Sequence, residues 1–298
     1  MGHIPVLLQE TIDLLHPTLG NTVLDCTFNR AGHSTELAKK IGKEGTLIGF
    51  DLDHVALEEG KKVLEKELGK NIPQVIVCET NFRHVVDVLK EKKIKHVDVL
   101  LADLGLSSQE LDISGRGFTF QKEEPLQMTL SSRPDALITA YTVVNEWSQE
   151  TLVDILKGFS DESFAGRIAR NIVEAREIKP ITTTKQLADI VYHAVPVAYK
   201  KGKIHPATKT FQAIRMAVND EVGALQELLR SLPQVVASGS RVGFISFHSV
   251  EDRLVKNYFR DNKEEWQAVT KKPVAPTLQE EKENPRSRSA KLRVYIKK

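Results

Sequence analysis

Cysteine is nearly missing: Cys26 and Cys78 are the only two in 298 residues, with no Cys-x-x-Cys pair and no Cys/His cluster. That excludes a disulfide framework and a structural zinc centre, and no metal is expected. Both thiols read as core residues of a cytosolic protein, so the expected localisation is cytoplasmic. Long hydrophobic runs are also lacking, since none approaches the roughly 20 residues that cross a bilayer. The opening stretch Ile4-Pro5-Val6-Leu7-Leu8 is interrupted at Glu10 and Asp13 and has no charged n-region, which argues against a signal peptide. No membrane partner is expected, and there is no internal repeat. An excess of either charge is absent too, with 42 basic against 40 acidic residues.

What is present suits a soluble globular protein: 41% hydrophobic and 28% charged residues. The length is about twice that of a usual domain, which suggests two domains or one domain with a large insertion. Charge is unevenly placed. From Asn284 onward Arg286, Arg288, Lys291, Arg293, Lys297 and Lys298 stand without an acid, while the rest of the chain is net acidic. A basic tail of this kind suits phosphate contacts, or else is a solvated terminus.

Residues 22–104 alternate strand and helix signals at the spacing of βαβ units. Strands are expected at Thr22–Phe28, Thr46–Asp51, Val75–Cys78 and Val97–Asp103, with helices at His33–Ile41, Val55–Leu68 and Phe82–Glu91. The strands are short and apolar, as in a parallel sheet covered on both faces. From Gly105 to about Pro206 no strand run appears, whereas Leu152–Leu156, Phe164–Glu177 and Leu187–Val195 show helical spacing. Thr183 and Gln186 form a capping-box pair. One long amphipathic helix is expected through Phe211, Ile214, Val218, Val222, Leu225 and Leu229, followed by a strand at Val242–Phe247. Ser249 and Asp252 read as a Ser-x-x-Asp helix start. Residues 270–290 read as a surface loop, partly mobile, and Lys291–Ile296 as a late strand. The simplest architecture is one α/β sheet with a helical insertion after the fourth strand.

Ligands of such sheets bind beyond the carboxyl ends of the strands. The first strand runs into Phe28-Asn29-Arg30-Ala31-Gly32-His33-Ser34, a small-residue turn into a helix. Free amides there can hold a carboxylate. The second strand ends in Asp51-Leu52-Asp53, where an acid can accept both hydroxyls of a ribose. The fourth ends in Asp103-Leu104-Gly105. This fits a nucleoside cofactor. NAD(P) is the weaker rival, because its Gly-x-Gly-x-x-Gly turn is absent. S-Adenosylmethionine carries no phosphate and tolerates a looser turn.

Several stretches, in order, carry a resemblance: His3-x-Pro-Val-Leu-Leu, Asp25-Cys-Thr-Phe-Asn-Arg-Ala-Gly-His-Ser34, Asp103-Leu-Gly-Leu-Ser-Ser108, and Leu111-Asp112 with Arg116-Gly-Phe-Thr-Phe120. His205-Pro-Ala-Thr-Lys-Thr-Phe-Gln-Ala-Ile-Arg215, Val218-Asn219-Asp220-Glu221, Ile245-Ser-Phe-His-Ser-Val-Glu-Asp-Arg253 and Asn284-Pro-Arg-Ser-Arg-Ser-Ala-Lys-Leu-Arg293 complete it. Over essentially its whole length the chain resembles the RsmH/MraW methyltransferases of bacterial ribosomal RNA. The resemblance implies a class I, Rossmann-like α/β methyltransferase sheet with an inserted all-helical domain. The implied division is 1–108 with 208–298 for the cofactor domain and 109–207 for the insertion. It also implies S-adenosyl-L-methionine as cofactor, N4-methylation of a cytidine in the decoding region of 16S rRNA, and 16S rRNA or the small ribosomal subunit as partner. Cofactor contacts carried over by position are Ala31, Gly32, His33, Asp51, Phe82, Asp103 and Glu110. The insertion offers surface for a homodimer, and the sequence leaves the oligomeric state open.

The chain departs from the family pattern in three places. The glycine-rich turn is thinned, so Asn29 and Ala31 must avoid positive φ or accept strain. Glu110 stands where the family has a neutral amide. Pro125-Leu-Gln-Met-Thr-Leu130 loses an acid and a base together. These changes motivate a second hypothesis, a non-catalytic RNA-binding or ribosome-assembly factor with a degenerate cofactor site. A third is methyl transfer to another acceptor, DNA or protein.

The exocyclic amine of cytosine is a poor nucleophile, so a group that holds an N4 proton would help. Asp103, then Asn219, then His248 are the candidates, although a hydrogen-bonded structural role is the simpler reading of His248. Phe118, Phe120 and Phe211 could stack a base, although Phe is more often core. Lys209, Arg215, Arg286, Arg288 and the run Lys200-Lys201-Gly202-Lys203 could hold RNA phosphates.

Overall fold

The computed structural model describes residues 5–106, 111, 114–131 and 138–298. The chain divides into two compact units, Met1–Gly105 with Gly223–Lys298, and Leu106–Val222.

The first unit is a seven-stranded sheet. Its strands are β1 Thr22–Asp25, β2 Thr46–Asp51, β3 Gln74–Glu79, β4 Val97–Asp103, β5 Val236–Ser246, β6 Trp266–Ala268 and β7 Lys291–Lys297, in the spatial order β3-β2-β1-β4-β5-β7-β6. β1 pairs in parallel with both β2 and β4, and β4 with β5. β7 is antiparallel to β5. The order reverses beside β1, which opens a crevice at the carboxyl ends of β1 and β4. Alternate residues feed two cores. Leu24, Ile48, Leu100 and Val242 join one cluster, and Val23, Leu47, Val99 and Ile245 the other, so the strands are apolar throughout because both faces are covered.

Helices α1 Leu8–Leu15, α2 Gly32–Ile41, α3 His54–Leu68 and α4 Val85–Glu91 belong to this unit. Neither α1 nor β6 is among the elements expected from the sequence. The stretch 270–290 is not a loop throughout. It holds a helix at Leu278–Glu283 and a 3-10 turn at Pro285–Ser289, and Glu280 accepts the Leu7 amide at 2.8 Å. The basic tail is likewise no solvated terminus, because Lys291–Lys297 form β7. Asp252 takes Arg293 and Lys291, while Lys297 and Lys298 donate to backbone carbonyls. Asp252 is therefore an ion-pair partner rather than part of a capping box, and the helix Ser249–Asp261 starts without a side-chain cap.

The second unit is built of helices around its own apolar core, which includes Val143, Leu156, Ile168, Leu187 and Phe211. The Thr183/Gln186 capping box forms as expected. The helix Ala207–Val218 packs on Gln149–Ser160 and so belongs here, although the sequence division placed residues from 208 onward with the sheet. The single long helix expected through Leu229 is two helices. It breaks at Asn219 and Asp220, where Asp220 takes φ 46°, and resumes at Glu221–Val235. Apolar spacing runs on across the break because each helix buries a face of its own. Among the described residues no helix is long and apolar enough to cross a membrane.

Candidate functional site at the carboxyl ends of the strands

The turn after β1 is held from three directions. Phe28 is fully buried over Gly49 of β2 and Gly60 of α3. A Cβ on Gly60 would come within 2.5 Å of Phe28 and 3.0 Å of the Asn29 carbonyl, so the α3 glycine permits the turn to approach. Asp51 closes β2 and accepts the Asn29 amide at 2.7 Å through Oδ2 and the Asp53 amide at 2.9 Å through Oδ1. Asp53 in turn caps α3 by accepting from Val55 and Ala56.

Held this way, Asn29 and Ala31 take φ 47° and 59°. The turn thus holds left-handed backbone at two residues that are not glycine. It thereby delivers the start of α2, at Gly32, His33 and Ser34, without a side-chain cap. The first amides of a helix have no intrahelical acceptor and carry its positive dipole end, so this is a place for a carboxylate.

Next to it lies a group of acids, two at strand ends and one, Glu251, in the first turn of the helix Ser249–Asp261 that follows β5. Asp25 ends β1, is buried, and accepts from the Thr27 amide and the Ser34 hydroxyl. Burial raises its pKa against those bonds. Asp103 ends β4, and Thr27 Oγ1 accepts its amide at 2.8 Å. The Asp103 side chain keeps about a fifth of its surface open, yet its Oδ1 is buried with no hydrogen-bond partner. Burial, with the charges of Asp25 and Glu251 beside it, holds the Asp103 carboxyl well above the ordinary carboxylate range. His33 is buried, with Nε2 2.9 Å from the Val6 carbonyl and Nδ1 3.6 Å from Asp103 Oδ2. Glu251 is buried and accepts the Phe247 amide. His248 Nε2 lies 3.0 Å from Glu251 Oε1, but the alignment makes no hydrogen bond, and both ring nitrogens are left without one.

The structure thus brings together, in the sheet unit, Ala31, Gly32, His33, Asp51 and Asp103 from the expected set, with His248 close by Glu251. Asp25 and Glu251 complete the acidic group and were not singled out from sequence. Both stand inside the resembling stretches, and Asp25 at the end of β1 was the available signal. Phe82 is half-buried in a 3-10 turn after β3 and packs against one of the sheet cores. Glu110 lies outside the described residues.

The remaining candidates are mostly committed elsewhere. Asn219, in the helical unit, accepts the Leu130 amide and donates to the Met128 and Arg215 carbonyls, so it clasps residues 128–130. Arg215 forks onto Glu221 with two bonds of 2.7 Å. Lys209 donates to the Asp161 carbonyl. Phe118 and Phe211 are buried, and Phe120 is half-buried. Arg286 and Arg288 stand exposed on the turn before β7.

The strand ends thus gather a group of acids, a helix start without a side-chain cap and the acid that closes β2. Comparison with known proteins identifies the family. The model of the MraW methylase family matches residues 1–298. A protein of Acidobacterium capsulatum named ribosomal RNA small subunit methyltransferase H is 42% identical over 301 residues, covering 99% of this chain and 98% of that one. The protein of the same name from Koribacter versatilis is 43% identical over 303 residues, covering 100% and 94%. A solved rRNA methylase from Streptococcus thermophilus aligns over 97% of this chain and 94% of its own, at 9% identity and a TM-score of 0.46. With a full-length family match and relatives above 40% identity, the chain belongs to the MraW methylase family.

Proposed function

We propose that the chain transfers a methyl group from S-adenosylmethionine to N4 of a cytidine in the decoding region of 16S rRNA. The relatives' names supply the ribosomal substrate class, and the resemblance in sequence supplies the base and atom. One observation carries the cofactor part: Asp103 Oδ1 is buried and unpartnered beside Asp25 and Glu251. A group of like charges shut away from water is costly unless a cation completes it. A sulfonium donor with its ammonium supplies cations, its carboxylate suits the uncapped start of α2, and its ribose suits Asp51. The residues present therefore fit this cofactor.

When bound, the cofactor supplies an electrophilic methyl on a sulfonium sulfur. The protein's own part is positioning. Asp51 and the amides of Gly32 and His33 hold the two ends of the donor. Asp103, whose carboxyl is pushed towards its neutral form by burial, returns to the carboxylate when a cation stands beside it. An open lone pair at Asp103 Oδ1 can hold an amino proton and so localise the nitrogen lone pair for attack. Holding nitrogen and methyl in line at about 3 Å supplies much of the remaining acceleration.

The non-catalytic assembly factor is the weaker reading. Asn29 and Ala31 retain left-handed backbone although glycine is gone. Such strain, of order 1–2 kcal/mol per residue, persists where surrounding structure enforces it. Calorimetric titration of the protein with S-adenosylmethionine tests the cofactor: a single saturable site is expected, and an assembly factor would give no heat. Mass mapping of small-subunit RNA from cells lacking the gene tests the acceptor. Loss of one N4-methylcytidine is expected, and a methyl missing from DNA or a protein instead would move the acceptor there.

A further inference from the structure

We infer that the helical unit carries a stacking site for single-stranded RNA, built on Tyr192, His205 and Phe120 and rimmed by Lys200, Lys201 and Lys203. This rests on the ribosomal-RNA acceptor proposed above and extends it to further, unpaired nucleotides of that acceptor.

Three rings form one continuous stack. Phe120 and His205 lie with centroids 4.6 Å apart and planes at 29°. Tyr192 follows His205 at 6.0 Å and 21°. Phe120 is half-buried and edge-on to the core residue Phe211, which anchors the inner end of the stack. The outer end is open: His205 is exposed, and Tyr192 keeps 39% of its surface. The Ala207 amide donates to His205 Nδ1 at 3.2 Å, which fixes the orientation of the imidazole. An aromatic row set on a helix and a capping turn, rather than swallowed by the core, is the platform on which unpaired bases stack.

The charge around it points to the same ligand. Residues 191–209 contain Lys200, Lys201, Lys203 and Lys209 and no acid. Lys201 and Lys203 are exposed and make no ion pair among the described residues. Lys200 lies over the Tyr192 ring, with Nζ 4.3 Å from the centroid. An exposed cation–π contact of this kind is worth less than a base stacked on the same ring. A base can therefore take the place of the ammonium on Tyr192, which frees Lys200 for a phosphate. Rings for bases and lysines for backbone, side by side, select a single strand rather than a duplex, whose bases are already stacked.

The test uses the full chain and a labelled single-stranded oligoribonucleotide of a dozen residues, titrated by fluorescence anisotropy at several salt concentrations without methyl donor. Tyr192→Leu is expected to weaken binding roughly tenfold, and Tyr192→Phe to keep wild-type affinity. Replacing Lys200, Lys201 and Lys203 together by Gln is expected to lower the slope of log affinity against log salt by about 2. Wild-type binding in both Tyr192→Leu and the triple variant overturns the proposal. So does a lowered salt slope with no dependence on the Tyr192 ring, which would make the patch a general polyanion surface. Failure of the acceptor assignment looks different: the wild type would bind RNA through Tyr192 yet leave small-subunit RNA unmethylated, and the stacking site would stand.

Discussion

Asp51 Oδ2 accepts the backbone amide of Asn29 across 2.7 Å, so the acid that closes β2 also shapes the turn that follows β1. Its second oxygen holds Asp53, the cap of α3. A carboxylate expected as a ribose contact is thus part of the frame as well. Asp51→Ala is expected to lower stability by about 2 kcal/mol, the scale of hydrogen bonds to a charged acceptor, together with a drop in S-adenosylmethionine affinity. Denaturant unfolding of the protein alone checks the first part. Unchanged stability would reduce Asp51 to a ligand contact.

Gly60 lies on α3, away from every acid of the recess, yet it is where Phe28 and Asn29 come closest to that helix. Gly60→Ala is expected to destabilise by roughly 1–3 kcal/mol through overpacking and to weaken donor binding by displacing the turn. The helix-propensity gain of about 1 kcal/mol works in the opposite direction. A variant more stable than wild type with full donor affinity would mean that the turn does not depend on this contact.

Asp103 should trade stability for function. Burial, then Asp25 and Glu251, raise its folded pKa above that of the unfolded chain. A carboxyl shifted in that direction destabilises the fold as pH climbs from about 4 through its folded value. Asp103→Asn is expected to melt higher than wild type at neutral pH without donor, and the difference to close as pH falls towards 4. The same variant should bind S-adenosylmethionine ten- to a hundredfold more weakly, the usual cost of a lost charged hydrogen bond. Melting curves from pH 4 to 8, with and without donor, read both effects. A pH-independent difference would remove the buried charge from the account.

Of the six cations in the terminal basic stretch, Arg286 and Arg288 are exposed on the turn before β7, and Lys291, Arg293, Lys297 and Lys298 are bound to Asp252 or to carbonyls. Replacing Arg286 and Arg288 by Ala is expected to lower the salt slope of RNA binding by roughly 1, about 0.7 per phosphate lost from a single strand. Titrations at several salt concentrations measure it, and an unaltered slope would take the turn out of the RNA interface.

Much of the sheet unit was legible in the chain. β2 and β4 fall where their apolar runs lie, because the central residues of a strand covered on both faces are buried and the polar ones sit near its ends. The Thr183/Gln186 box marked its helix start because both bonds are local. The turn after β1 was legible as a conditional statement, strain or no positive φ, and the fold selected strain.

Tertiary structure decided the rest. Asp25 and Asp103 come from two separate strand ends and Glu251 from the first turn of the helix after β5, and only the sheet order sets them against one another. The break at Asn219 and Asp220 was invisible to apolar periodicity, because each of the two helices keeps its own buried face. The six cations of the tail looked alike as a string of charges, but the fold sets Lys291 and Arg293 on Asp252 and Lys297 and Lys298 on carbonyls of distant segments. Periodicity and turn chemistry act between neighbours, so the chain carries them in plain order. Ion pairs, orphaned acceptors and backbone held in costly conformations depend on which distant groups share a volume, and only packing settles that.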